Sequence, residues 1–406
     1  ITGNTAQDIT LGTDIARIET LNAQVGTNTL RGENATNDWN ITAANTGTID
    51  DQTTTLSFTN FINLIGGTAV DTFTLSDVAL VTGLIDGGAG SDKVDITGST
   101  AQDIILGTDI TRIETLTAQI GTNTLRADNT TNDWNITAAN TGTIYDQTTT
   151  LSFTNFINLV GGTGVDNFTL ADITHVTGLI DGGAGSDKID ITGNTAQDIT
   201  LGTDIARIET LNAQVGTNTL RGENATNDWN ITAANTGTID DQSTTLSFTN
   251  FSELVGGTLV DDFLFDSTGS VNSLAAGTGE DVISVDNITQ VATTIDGGAN
   301  DDILNLNTDN QIITLASVTS IETINATAGT NTLQGGNATN TWTINSENAG
   351  TLNTTTFSNF NNLTGGTGVD NFTLADIAHV TGLIDGGAGS DKIDITGNTA
   401  QDITLG

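Results

Sequence analysis

The sequence predicts an all-β chain wound as a right-handed parallel β-helix, a solenoid of about 17 coils of about 23 residues each. Three observations carry this expectation. First, the chain repeats itself: Ile1, Ile96 and Ile191 open nearly the same segment at intervals of 95 residues, and residues 395–406 (ITGNTAQDITLG) restate residues 1–12. Second, a shorter spacing lies inside each repeat. Ile18, Trp39, Ile62, Leu84 and Ile113 sit in successive strand-like pieces, with steps of 21, 23, 22 and 29 residues. Third, those pieces are rich in Val, Ile, Thr and Phe and alternate apolar with polar, as in KVDIT and ISVDNIT. Gly-Gly, Asp-Gly and Asn-Thr punctuate them. A unit this short cannot bury its own apolar face, so neighbours stack at the sheet spacing of about 4.8 Å.

Four repeats are expected, at 1–95, 96–190, 191–305 and 306–394, with 395–406 opening the next unit and all of them forming one continuous solenoid. The third is longer by one module near 266–286, which contains GTGEDVISVD. Within the first repeat the segment GTDIARIETLNAQV is the best helix candidate. It runs directly into Gly26 and the strand-like TNTL, so it reads as extended. The alternation sends Ile18, Leu21, Val25, Leu30, Ile41, Leu56, Phe58, Phe61, Leu64, Phe73, Leu75, Leu84, Ile85, Val94 and Ile96 to the interior, with equivalents 95 residues on. Trp39, Trp134, Trp229 and Trp342 recur at matching positions and are expected to pack once per repeat, in preference to forming surface platforms for sugars. Asn and Thr at the corners suit hydrogen-bonded ladders between stacked coils. Pro, which cannot donate to a ladder, is absent.

Composition excludes several function classes. A net charge of −40, from 49 acids against 9 bases, leaves almost nothing to neutralise phosphates, so nucleic acid is not an expected partner. No run reaches the length of a membrane helix, so membrane insertion of this segment is not expected either. Cysteine is absent, which rules out a disulfide framework. Methionine is absent too, so the native start is expected upstream. The bases are carried by the repeats: Arg17, Arg112 and Arg207 are equivalent, as are Arg31, Arg126 and Arg221, and Lys93, Lys188 and Lys392. His175 and His379 share one position. Residues copied from repeat to repeat suit structural ion pairs better than a unique catalytic cleft, so no enzyme activity is expected.

One motif carries chemistry. Gly87, Gly88, Gly90 and Asp92 read GGAGSDKVD; Gly182, Gly183, Gly185 and Asp187 read GGAGSDKID, and Gly386, Gly387, Gly389 and Asp391 repeat that form. Gly161, Gly162, Gly164 and Asp166 read GGTGVDNFT, matched at Gly365, Gly366, Gly368 and Asp370. Looser versions place Asp71, Asp261, Asp281 and Asp302 in the sixth position, and Ala69 replaces the third glycine beside Asp71. Glycine lets the backbone turn its carbonyls toward one point, the Asp adds a carboxylate, and the apolar residue two places on pins the corner to the core. Asp71 to Asp92, Asp166 to Asp187 and Asp370 to Asp391 are each 21 residues apart, while Asp261, Asp281 and Asp302 step by 20 and 21, so paired carboxylates fall on adjacent coils.

This pattern resembles the calcium-binding nonapeptide G-G-x-G-x-D-x-(apolar)-x of RTX-type (haemolysin-type) repeats. The chain departs from that family because its motifs come in pairs, or as a triple in the third repeat, separated by coils that lack them. The remaining coils resemble the β-helical stalks of bacterial adhesins and haemagglutinin-like exoproteins. The resemblance implies calcium held at these Gly and Asp residues, with bare Gly-Asp corners as the alternative. It further implies an extracellular or cell-surface location and a structural role as the repetitive shaft of a large bacterial fibre, surface layer or adhesin stalk. The expected partners are copies of the chain itself in a longer array. The alternative is a binding module whose repeats adhere to glycans or other cells.

Overall fold

The computed structural model describes residues 5–327, 329–398, 400 and 402–404. Ile1 and part of the restarted segment 395–406 lie outside the described residues. The chain divides into two compact units, Ile1–Gly193 with Gly202–Leu211, and Asn194–Leu201 with Asn212–Gly406. Both are all-β. Among the described residues no helix is long and apolar enough to cross a membrane.

The first unit holds the first two repeats. In the first of these the strands are β1 (Asp8–Thr10), β2 (Thr20–Asn22), β3 (Thr29–Arg31), β4 (Asn37–Ala43), β5 (Thr46–Asp50), β6 (Thr55–Thr59), β7 (Asn63–Ile65), β8 (Asp71–Leu75), β9 (Ile85–Asp86) and β10 (Lys93–Ile96). They alternate between two sheets. One sheet stacks β1, β3, β7 and β9 in parallel register, Ile9 on Leu30, Leu30 on Leu64 and Leu64 on Ile85. The other stacks β4, β8 and β10 in parallel, Trp39 on Phe73 and Phe73 on Val94, and continues onto Thr115–Thr117 of the second repeat. This is the rung-on-rung pairing that the short spacings lead one to expect.

The stacking does not follow chain order throughout. Strand β4 leaves a gap of two rungs above β2, and the chain turns back to fill it. Strand β6 pairs in parallel with β2, and β5 runs antiparallel between β4 and β6, with Thr48 opposite both Asn40 and Ser57. Asn45 supplies the first turn with a left-handed φ of 53°. Asp51 closes the second by accepting the amide hydrogens of Thr53 and Thr54 at 2.8 and 2.6 Å. All three strands keep period-two alternation, so Trp39, Ile41, Ile49, Leu56 and Phe58 still face inward. Thr141–Tyr145 does the same in the second repeat.

The second unit uses the same devices. Thr236–Asp240 and Ala349–Leu352 are its antiparallel strands. The expected extra module of the third repeat is an extra rung on each sheet. Val271–Thr278 lies between Glu253–Val255 and Val291–Ala299, and Val282–Val285 lies between Asp261–Phe265 and Ile303–Leu306.

An aromatic cluster fills each repeat. Trp39 stacks on Phe73 at a centroid distance of 5.3 Å and meets the edge of Phe58 at 5.9 Å, while Phe58 meets Phe61 edge-on at 6.3 Å. The offset and edge-on geometries are those the ring quadrupoles favour. Trp134, Trp229 and Trp342 repeat the arrangement, and all four indoles are buried, so none is a sugar platform. Three expected core residues are not core. Ile18 is 43% exposed, whereas its equivalents Ile113 and Ile208 are both 3% exposed. Val25 is 83% exposed, as are Ile120 and Val215 to nearly the same degree, because the turn that carries them bends away from the core. That turn is clamped from inside: Asn28 donates to the carbonyls of Gln24 and Asn60. Leu84 is half-buried at the sheet boundary.

Candidate functional site

The Gly-Asp motifs form the corners where the chain passes from one sheet to the other. Gly66 and Gly67 follow β7 and lead to Asp71 at the start of β8; Gly87 and Gly88 follow β9 and lead to Asp92 just before β10. The structure gives the eight aspartates Asp71, Asp92, Asp166, Asp187, Asp261, Asp281, Asp302 and Asp370 at most 1% exposure. Asp391 is exposed. The residue two places on, such as Phe73, Val94, Phe168 or Ile189, is buried at every corner but that of Asp391, where Ile393 is half-exposed. The glycines are needed for close approach. A β-carbon on Gly162 would overlap the carbonyl oxygen of Asp128, and one on Gly67 that of Glu33. Gly88 and Gly90 add left-handed backbone, with φ of 93° and 149°.

The buried carboxylates bind backbone amides on neighbouring rungs. Asp71 Oδ1 accepts the Asn37 amide at 3.1 Å and the Asn37 side-chain Nδ2 at 2.5 Å, while its Oδ2 accepts the amide of Gly67 at 2.7 Å. The amide of Asp71 in turn donates to Asp92 Oδ1 at 2.8 Å, and the amide of Asp92 to Glu114 Oε2 at 2.6 Å. A ladder Asn37–Asp71–Asp92–Glu114 therefore climbs the stack, each side chain holding the backbone of the rung before it. In the second repeat Asp166 donates its amide to Asp187 and Asp187 to Glu209. In the second unit the ladder gains a rung, from Asn227 through Asp261, Asp281 and Asp302 to Glu322. The last copy runs from Asn340 through Asp370 to Asp391.

Sequence reasoning missed the ends of the ladder. Glu114, Glu209 and Glu322 recur in the segment IET, and Asn37, Asn132, Asn227 and Asn340 in N-D-W or N-T-W. Both recurrences are visible in the sequence, but nothing local says that they meet the aspartates.

Burial opposes the charge these groups carry. It pushes Asp92, Asp187, Asp261, Asp281 and Asp302 up to about 6, against the hydrogen bonds that hold them down. Asp71 and Asp166 are raised for the same reason. Neighbouring acids add to the effect; Asp71, Glu114 and Asp86 all raise Asp92. Two unit charges about 5 Å apart repel by roughly 1 kcal/mol in water and by several times that when desolvated.

The calcium implied by the motif fits only part of this set. Among the described residues no three His, Cys, Asp or Glu side chains gather where they could hold a metal ion. Asp71, Asp261 and Asp370 have both oxygens taken by N–H donors, and so does Asp166, whose Oδ1 accepts Trp134 Nε1 at 3.3 Å. A cation there would meet the positive ends of those donors. Asp92, Asp187, Asp281 and Asp302 differ: each has a buried Oδ2 with no hydrogen-bond partner. Those four oxygens fit a proton or a cation. A calcium ion, which takes six to eight oxygens, would have to draw its other ligands from the corner carbonyls.

The bases pair with acids along the repeats. Arg31, Arg126 and Arg221 bind Asp8, Asp103 and Asp198 at 2.6–2.8 Å. Arg112 binds Asp86 and Arg207 binds Asp181, in each case through two guanidinium nitrogens. Lys93, Lys188 and Lys392 each bind the Asp two residues on.

Comparison of the chain with protein-family models and with curated proteins returns no match.

Proposed function

We propose that the chain is a segment of a repetitive structural shaft, a right-handed parallel β-solenoid of about 23 residues per coil, in a large secreted or surface-attached bacterial protein that serves as a fibre, surface layer or adhesin stalk. The observation that carries this reading is the recurrence of the carboxylate ladder. In every repeat the buried acids hold one rung to the next, the use expected where load passes along stacked strands. The eight ion pairs among the described residues likewise recur in copies.

Calcium, where present, neutralises buried carboxylate charge. In this reading it is held by Asp92, Asp187, Asp281 and Asp302, with the remaining Gly-Asp corners closed without metal. A second reading, repeats that adhere to a partner, is favoured by the three clamped turns that present Val25, Ile120 and Val215 to solvent.

Stretching single molecules by their ends tests the shaft. Unfolding in discrete force peaks is expected, each releasing up to one 95-residue repeat, or roughly 320 Å of chain. Calcium should raise the peak force over that measured in chelator. Featureless extension at low force would remove the mechanical role, and identical curves with and without calcium would remove the metal.

A further inference from the structure

We propose that this chain takes its tightest divalent cation in the third repeat, at the corner of Asp296 and Asp302, where Ser320 replaces the arginine of the two preceding junctions. The cation there does what the arginine does elsewhere. The inference rests on the calcium reading of the Gly-Asp corners and ranks the four aspartates that it names.

The three junctions share one register. Ile85 and Asp86 pair with Ile110 and Thr111, Ile180 and Asp181 with Ile205 and Ala206, and Ile295 and Asp296 with Val318 and Thr319. The next residue is Arg112, Arg207 and Ser320 in turn, with φ of 49°, 50° and 50°, so the three Cα–Cβ bonds leave the backbone alike. Arg112 and Arg207 reach Asp86 and Asp181 through two nitrogens each. Hydrogen bonding to Asp86 raises the pKa of Arg112, and the charge of Asp92 adds to it, so one guanidinium serves both carboxylates of its corner. Arg207 stands in the same relation to Asp181 and Asp187.

Ser320 brings no charge. Oδ1 of Asp296 is buried and has no hydrogen-bond partner, whereas both oxygens of Asp86 accept N–H donors. Asp302 is 0% exposed, and its Oδ2 also has no partner. Both carboxylates border one glycine. Gly297 follows Asp296 in the chain, and a β-carbon on it would stand against Asp302 Oδ2 and overlap the carbonyl oxygen of Ser320. Three hard oxygens therefore line this corner, and water can complete the six to eight that calcium takes. No Lys or Arg occurs between Arg221 and Lys392, so that stretch of chain supplies no positive side chain of its own to offset the buried charge.

The other three free oxygens are less well served. A cation at Asp92 or Asp187 would face Arg112 or Arg207, which already neutralises the corner. At Asp281 the register sets Ala275 opposite Asp296, so a second carboxylate is missing there. The next residue, Ala276, is fully buried and carries the β-carbon that Gly297 lacks. Of the four, Asp302 alone joins a neighbouring carboxylate, an open glycine and no arginine.

Calorimetric titration of calcium into the chelator-stripped 406-residue chain tests the proposal. The tightest class of sites should hold one calcium per chain. Ser320→Arg should weaken that class by about tenfold or more, the effect of a unit charge about 5 Å from a divalent one in water. The same variant should melt higher than the parent in chelator, because it restores the residue of the other junctions. Arg112→Ser should do the reverse: it should melt lower in chelator and gain a second tight site, at Asp86 and Asp92. An affinity indifferent to Ser320→Arg, or several equivalent sites in the parent, would overturn the proposal and leave calcium at the Gly-Asp corners standing. No calcium binding by the parent would end both.

Discussion

Acidification from about pH 8 to about pH 5 should raise the melting temperature of the chain in the presence of chelator. Losing charge relieves self-repulsion in any strongly acidic chain; here a further gain follows from where the carboxylates sit. Asp92, Asp187, Asp261, Asp281 and Asp302 are buried at 0–1% exposure and titrate at about 6 in the folded state. In the unfolded chain the same groups titrate near 3.8. The folded state therefore binds more protons between about pH 4 and 6, and stability falls as pH rises through that window. Above about pH 7 the penalty is complete, and keeping each of these groups ionised in the fold costs about 3 kcal/mol. About half of that is recovered by about pH 5, so two such groups in the first unit correspond to a melting difference of roughly 10 °C between about pH 8 and about pH 5 for a body of that size. Below about pH 4 the trend reverses. Asp8 and Asp51, held low by Arg31 and by Thr53 and Thr54, contribute stability above their unfolded value that is lost as they protonate. A scanning calorimetry series from about pH 3.5 to about pH 8 would show a maximum near pH 4.5–5.5. A melting temperature that climbs steadily to about pH 8 would contradict the buried ladder.

The second large effect is a difference in sign between two adjacent corners. Asp71 and Asp92 look alike in sequence, and both are buried, yet their oxygens do different things. Asp71 accepts N–H donors at both oxygens, so Asp71→Asn turns an amide nitrogen toward the N–H of Gly67 or Asn37 and leaves donor facing donor. The loss should be about 2–3 kcal/mol at pH 8. Asp92 accepts only the Asp71 amide, at Oδ1, and its Oδ2 has no partner. Asp92→Asn keeps the acceptor and removes a buried charge, so the variant should melt higher than the parent at about pH 8 and match or trail it at about pH 5. Asp166→Asn and Asp187→Asn should repeat the contrast. Melts of the four single variants at both pH values would decide the matter; equal losses at Asp71 and Asp92 would mean that the two corners are equivalent after all. Calcium added to the parent should mimic Asp92→Asn if the metal occupies the free oxygen.

The sequence carried much of this and left out specific parts. Stacked parallel rungs, the extra rung of the third repeat and the buried tryptophans were legible because each follows from spacing and alternation alone. The antiparallel strand β5 was not. Its alternation matches that of β4 and β6, and only a long-range choice, β6 pairing with β2 rather than with β4, fixes the order of the three. Val25 was misplaced because alternation does not reveal that an Asn clamp lifts the turn out of the core. At the corners the glycines pointed to eight aspartates that are buried, though not to Asp86, which is buried just before Gly87. The sequence could not say that amides from the rung before would occupy those carboxylates, nor that Glu114 would end the ladder. Those partners lie 21 and 22 residues away, a distance that becomes contact only once the rungs are stacked.

The most direct test of the central claim, that the Gly-Asp carboxylates are interior links between rungs, is the titration of side-chain carboxyl carbons by NMR in chelator, with Asp92→Asn and Asp187→Asn variants to assign the signals. A distinct set of aspartates titrating near pH 6, and losing one member in each variant, is the predicted result. Aspartates that all titrate below about pH 4, as solvent-facing carboxylates do, would contradict it.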